Sequence, residues 1–153
     1  ASPKYNNISK NVIDIRFFTT TNWTGKNIQI KKSDAGIYKV SSPALTIVDL
    51  IHYQTKLGGI NRILAVIEEL SEELKETDIV ELLNWYPNKS GLQRFGFLLE
   101  EFEIKEEVQD LILKKLKKSN FFPVLLSPKS NTKPGAVNNR WKVDVNVKLE
   151  SDL

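Results

Sequence analysis

Stretches in which apolar and polar residues alternate lie at both ends of the chain, and this two-residue period is typical of β-strands with one buried face. Near the N-terminus the pattern occurs in residues 12–18, 28–30 and 37–40, which turn-forming residues separate. At the C-terminus, one face of residues 140–150 holds Trp141, Val143, Val145, Val147 and Leu149. We therefore predict an antiparallel N-terminal meander and a C-terminal strand that pairs with it.

The middle of the chain has the 3.6-residue period of helices with one apolar face. Ser42 and Pro43 supply an N-cap and a first-turn proline, and Gly58 and Gly59 end that first helix. The same period predicts four more helices within residues 60–74, 77–86 (capped by Thr77), 92–102 and 104–116. The predicted fold class is α+β, with a small antiparallel or mixed sheet, formed by the N-terminal strands plus the C-terminal strand, packed on about five helices.

Size and composition exclude several classes of protein. The chain has 153 residues, enough for one domain, and it contains no Cys and one His, which excludes disulfides, thiolate metal sites and zinc sites built on several histidines. No apolar run is long enough to cross a membrane, and no secretory signal is present, so we expect a cytoplasmic protein. Because the sequence lacks Met and begins with Ala1, we expect it to be one domain of a longer protein.

The charges are unevenly distributed. Residues 1–40 and 114–153 have an excess of Lys and Arg, whereas residues 41–113 have an excess of Asp and Glu. If the two basic ends meet in space, they form a face suited to the phosphates of DNA. The candidate DNA-binding residues are Lys26, Lys31, Lys32, Arg140, Lys142 and Lys148. The alternative is that these side chains only keep the surface soluble.

The sequence offers little catalytic chemistry. It has no phosphate-binding glycine loop, and the spacing of Asp49 and His52 fits a helix surface as well as an oriented base. Glu103-Ile104-Lys105 matches the end of a metal-dependent nuclease motif, but at a helix junction instead of a strand. The helices predicted in residues 77–86 and 90–102 resemble a helix-turn-helix in length, although the second of them carries acidic residues that repel phosphate.

Four motifs occur in order along nearly the whole chain: VSSPALTIVDL (residues 40–50), LGGINR (57–62), LQRFGFLLE (92–100) and NRWKVDVN (139–146). Together they resemble the C-terminal domain of the AbiEi family of antitoxins. Ala44 departs from the pattern, because the family often has glutamate there. We expect Arg94 to be structural, paired with Asp49 or with a helix end. The motif residues assigned to the family pattern or to structure are Pro43, Asp49, Gly58, Gly59, Arg94, Trp141 and Asn146.

This resemblance implies a function. Members of the family are the antitoxin half of bacterial type IV toxin–antitoxin systems, which act in phage defence by abortive infection. The toxin is nucleotidyltransferase-like, an N-terminal winged helix represses the operon, and the C-terminal domain provides antitoxicity and can contribute to DNA binding. The chain is thus expected to be a non-enzymatic antitoxin and transcriptional-regulator domain without cofactor or metal, its winged helix upstream, with operator DNA and the toxin as partners. The alternatives are a stand-alone nucleic-acid-binding or protein-interaction module and, on Glu103-Ile104-Lys105 alone, a metal-dependent nuclease.

Overall fold

A computed structural model of the chain describes residues 26–33, 36–129, 137 and 139–150, so the strand predicted at 12–18 lies outside the described residues. The described part contains five helices and four strands. In chain order they are β1 (Ile28–Ser33), β2 (Gly36–Ser41), α1 (Pro43–His52), α2 (Ile60–Ser71), α3 (Glu76–Trp85), α4 (Lys89–Phe102), α5 (Glu106–Lys117), β3 (Val124–Leu125) and β4 (Val143–Asp144). The predicted α+β class is confirmed.

The predicted N-terminal hairpin is present. Strands β1 and β2 pair antiparallel, from Ile28 opposite Ser41 to Ser33 opposite Gly36. β2 leads directly into α1, whose first turn is capped as the sequence predicts: the Ser42 hydroxyl accepts from the Leu45 N–H at 3.3 Å, and Pro43 is the first helical residue. The hairpin therefore enters the helical part of the domain through a well-formed N-cap.

The remaining helix boundaries follow backbone chemistry, with two wrong predictions. Gly58 and Gly59 do not end α1, which ends at His52; both glycines have positive φ, at 100° and 103°, in the connection to α2. Thr77 does not cap α3, because Lys75 occupies that position and makes no side-chain cap. α4 is capped by Asn88, whose side chain accepts from the Gly91 N–H at 3.2 Å.

The core lies among the helices. α1 is apolar almost all round, with eight of its ten residues buried, because it contacts α2, α3 and α4 at once. α4 packs on α5, and α3 packs on α5 as well. The largest fully buried side chains include Trp141, Phe95, Ile47 and Leu50. One continuous hydrophobic cluster thus joins all five helices and the residues around β4.

Among the described strands, the prediction that the C-terminal strand joins the N-terminal strands is wrong. β4 pairs in parallel with β3, in a sheet separate from the β1–β2 hairpin. The Asn139 side chain accepts from the N–H groups of Trp141 and Val143, and Lys142 has a φ of 56°, so the backbone turns just before β4. The alternation of buried and exposed side chains fails within β4, since Val143 and Asp144 are both buried, and Val145 just after it is 42% exposed.

Candidate functional site

The C-terminal segment, residues 139–150, is bound to α4 through Trp141. The indole is fully buried and its Nε1–H donates to Glu100 Oε1 at 3.0 Å. Its six-membered ring lies directly over Gly96, where any Cβ would overlap it. Only a glycine lets the ring lie this close to the helix backbone. The contact joins the motif at residues 92–100, which contains Gly96, to the motif at residues 139–146, which contains Trp141.

Two of the candidate DNA-binding residues, Arg140 and Lys142, also make contacts within the domain. Arg140 donates from Nε to Glu100 Oε1 at 2.7 Å and from Nη2 to Gln109 Oε1 at 2.9 Å, while its side chain stays 41% exposed. Lys142 donates from Nζ to the Phe121 carbonyl at 3.0 Å and lies 4.5 Å from the centre of that ring. Both side chains hold the C-terminal segment to α4, α5 and the residues before β3.

The other four candidate cations are divided between two regions. Lys148 is 84% exposed on the C-terminal segment, with Nζ 3.9 Å from Glu150 Oε1. Lys31 and Lys32 belong to β1, and Lys26 is exposed just before it. Because β1 and β4 belong to different sheets, the structure does not bring these residues together on one strand face as predicted. Their assignment to DNA binding stays a prediction.

Gln93 and Arg94 fasten α4 to the irregular segments around β3 and β4. Gln93 Nε2 donates to the carbonyls of Phe122 and Trp141, at 2.8 and 2.9 Å. Arg94 Nε donates to the Leu125 carbonyl at 2.8 Å, so this hydrogen bond goes to β3 instead of Asp49 or a helix end. The structural role expected for Arg94 therefore has a concrete partner.

Asn146 extends the same network. Its side-chain oxygen accepts from the Ser127 N–H at 2.8 Å and its amide donates to the Ser127 carbonyl at 2.9 Å. This pair of hydrogen bonds continues the short β3–β4 ladder beyond its last paired residues.

Asn27 is a structural centre that the sequence pattern does not reveal, since it lies among turn-forming residues. It is 2% exposed and has a φ of 56°. Its amide donates to the Asp78 carboxylate and carbonyl at 2.6 and 2.7 Å, and its oxygen accepts from Trp85 Nε1 at 2.7 Å. Its own N–H donates to Glu81 Oε1 at 2.6 Å. A buried Asn with left-handed backbone thus joins the hairpin to α3.

Asp49 lies in a group of partly buried polar residues where α1 meets α4. Burial raises the pKa of Asp49 from 3.8 to about 6. Burial also raises the pKa of the Tyr86 hydroxyl, with the nearby Asp49 charge adding to the effect, and burial lowers the pKa of Arg94. His52 is exposed, with Nδ1 3.2 Å from Asn88 Nδ2. The group is polar but shows no nucleophile and base within reach of each other.

Two further classes of site were sought in the described residues. They contain no cluster of three or more His, Asp or Glu side chains that would hold a metal ion. None of the helices they form is both long and apolar enough to cross a membrane. Glu103, the first residue of the nuclease-like motif, is an exposed helix C-cap with a φ of 58°.

Comparison with known proteins identifies one family. A family model described as the AbiEi antitoxin C-terminal domain matches residues 22–101, more than half of the chain. The matched range includes the β1–β2 hairpin, α1, α2, α3 and nearly all of α4. The motif at residues 139–146 lies outside it, although its Trp141 is packed on α4. No curated protein and no solved structure matches.

Proposed function

Because the chain belongs to the family of AbiEi antitoxin C-terminal domains, we propose that it is the antitoxin and transcriptional-regulator domain of a bacterial toxin–antitoxin system. It neutralises a nucleotidyltransferase-like toxin in the cytoplasm as part of phage defence, and a winged-helix domain precedes it in the complete protein. The single observation that carries this proposal is the family match over the hairpin and the first four helices.

The polar residues of the domain support a role in binding rather than in catalysis. Gln93, Glu100 and Asn27 each have two or more hydrogen bonds to other parts of the domain. Side chains whose polar atoms are hydrogen-bonded within the domain make it more rigid. The proposal therefore assigns neutralisation to the surface of a rigid domain, without a covalent step.

A genetic depletion experiment tests the antitoxin role in the source organism. Switching off expression of this gene should stop growth, because the toxin is then unopposed. Deleting the neighbouring nucleotidyltransferase-like gene first should abolish that growth arrest. Normal growth after depletion, or growth arrest that persists without the neighbouring gene, contradicts the proposal.

We propose in addition that the six candidate cations assist operator binding: Lys26, Lys31, Lys32, Arg140, Lys142 and Lys148. Exposed Lys148 is the cleanest to test, since its side chain is 84% exposed and its distant ion pair contributes little. Lys148→Gln should weaken operator binding and reduce the slope of log K against log salt by about 0.9, the value for one phosphate contact. Lys148→Arg should keep both, and the matched control Lys56→Gln should change neither. An unchanged slope for Lys148→Gln contradicts this role.

A further inference from the structure

Phe122 is the most exposed large hydrophobic side chain among the described residues, at 72%. It follows Phe121, which is buried, and precedes Pro123, which restricts the backbone at residue 122 to extended conformations. A single exposed apolar side chain is common on protein surfaces, so its surroundings decide whether it indicates a binding site. The core of the domain gives no reason for a phenyl ring at this position.

The backbone beneath Phe122 is held by three consecutive hydrogen bonds. Lys89 Nζ donates to the Asn120 carbonyl at 2.9 Å, Lys142 Nζ to the Phe121 carbonyl at 3.0 Å, and Gln93 Nε2 to the Phe122 carbonyl at 2.8 Å. The ring is therefore presented to solvent from a fixed backbone. A contact made by such a residue requires little ordering of the chain on binding.

Besides Lys89 and Lys142, which donate to its carbonyls, further lysines precede this segment directly in the sequence. Four exposed lysines occupy the end of α5 just before it, and neither ion pair of the described residues involves them: Lys114, Lys115, Lys117 and Lys118. From Leu111 to Val143 the sequence contains eight Lys and Arg and no Asp or Glu. These cations favour the C-terminal end of the helix dipole, and together they make this end of α5 strongly positive.

A ring and a set of cations of this kind match the chemistry of an unpaired polynucleotide. Lysines attract the phosphates, and an exposed aromatic ring stacks on a base, which every base permits because each has a π-face. In a duplex those faces are already stacked on each other. Phe has no polar group to read a base edge, so the contact would be independent of sequence.

We propose that Phe122, with Lys89, Lys142 and the four lysines at the end of α5, forms a binding surface for a single strand of nucleic acid. This activity goes beyond antitoxin function and beyond the contact with duplex operator proposed above. The strand lies along the end of α5, with one base stacked on Phe122 and its phosphates near the lysines.

Fluorescence anisotropy of labelled 20-mers tests this proposal on the chain as it stands. The probes are oligo(dT), oligo(U) and a 20-base-pair duplex. We expect one or both single strands to bind more tightly than the duplex, and the preference between them reports whether the site favours ribose or deoxyribose. Phe122→Ala should weaken single-strand binding about tenfold or more, as for the loss of one stacked base, whereas Phe122→Trp should retain it.

Matched controls separate the site from general effects of charge and exposure. Val80→Ala removes another exposed apolar side chain, 45% exposed on α3, and should leave binding unchanged. Lys115→Gln/Lys118→Gln should reduce the salt slope by about 1.4, which is two contacts at about 0.7 each for a single strand. Lys56→Gln/Lys75→Gln makes the same change in net charge elsewhere and should reduce it far less.

Several results would overturn the proposal. These are no binding of either strand at 50 mM salt, tighter binding of the duplex, or equal affinity for Phe122→Ala and the parent chain. Binding of anionic lipid vesicles that depends on Phe122, with no binding of oligonucleotides, would instead assign the surface to a membrane. None of these binding measurements depends on toxin neutralisation, so they test the single-strand proposal separately from the antitoxin role.

Discussion

At the scale of single residues, the contact between Gly96 and Trp141 joins the C-terminal segment to α4. A tryptophan ring that rests on a helix backbone excludes a Cβ beneath it, and the buried indole N–H is satisfied by Glu100. The ring also brings Arg140 to the same carboxylate. The packing of the C-terminal segment on α4 therefore depends on the absence of a side chain at Gly96.

Gly96→Ala tests this dependence. In most helices Ala is more favourable than Gly by up to about 1 kcal/mol, but here the new methyl group overlaps the indole and must displace it. We expect a loss of about 3 kcal/mol in the free energy of unfolding, measured by urea denaturation. Gly91→Ala in the same helix, where the Cβ would lie 3.2 Å from Tyr86 Oη, should change it by less than about 1 kcal/mol. Equal effects at the two positions would show that Trp141 does not lie over Gly96.

The buried carboxyl group of Asp49 predicts a dependence of stability on pH. Its pKa is about 6 in the folded chain against an ordinary value of 3.8, so between these values the folded state holds a proton that the unfolded state has released. The free energy of unfolding therefore falls as pH rises from about 4 to 6, and the Asp49 contribution is constant above that.

Asp49→Asn removes this titration and leaves a neutral side chain of similar shape. The variant should be more stable than the parent at pH 7, by up to about 3 kcal/mol, with the difference shrinking toward pH 4. Thermal or urea unfolding across this pH range measures it, and Asp110→Asn on the exposed face of α5 is the control. If the difference in the free energy of unfolding between variant and parent were no larger at pH 7 than at pH 4, the burial of Asp49 would be contradicted.

At the scale of secondary structure, Asn27 determines how the hairpin is attached to α3. Asn27→Gly keeps the left-handed backbone accessible and removes only the side-chain hydrogen bonds, leaving Trp85 Nε1 and the Asp78 carboxylate without this partner. We expect a loss of about 2 kcal/mol. Asn27→Ala should cost about 1 kcal/mol more, because a Cβ disfavours positive φ.

Urea unfolding followed by tryptophan fluorescence checks both Asn27 variants, since Trp85 reports directly on this contact. Asn84→Ala, an exposed amide on the same helix, serves as the control. If the Gly variant were as stable as the parent chain, the hairpin would not be held by the Asn27 side chain.

The elements that the sequence predicts well are those specified by local chemistry. The five helices follow from their period and from residues such as Pro43, which act on their own neighbourhood. Asn27 could not be recognised, because its partners lie 51 to 58 residues away. The alternation predicts a longer C-terminal strand than the structure contains. Alternation shows which side chains suit a strand, but it does not show that Asn139 turns the backbone and that the β3–β4 ladder has only two residues on each strand.

At the scale of the whole molecule, the described surface separates the two signs of charge. Exposed glutamates lie on α2, at Glu68 and Glu69, and continue just after it, whereas the end of α5 is lysine-rich. The sequence predicts this separation, since charge runs along the chain are carried onto single helices. The prediction that the two basic segments lie side by side depends on which strands pair, and the pairing is determined by the fold as a whole.

The most direct measurement of the central claim is growth under co-expression. The chain and the nucleotidyltransferase-like toxin proposed as its partner are placed under separate inducible promoters in a host that lacks both genes, and colonies are counted with the toxin induced. The account predicts growth arrest by the toxin alone and normal growth when the folded chain is present, with Gly96→Ala giving weaker protection in proportion to its lost stability. Persistent arrest in the presence of soluble, folded chain would contradict the antitoxin function.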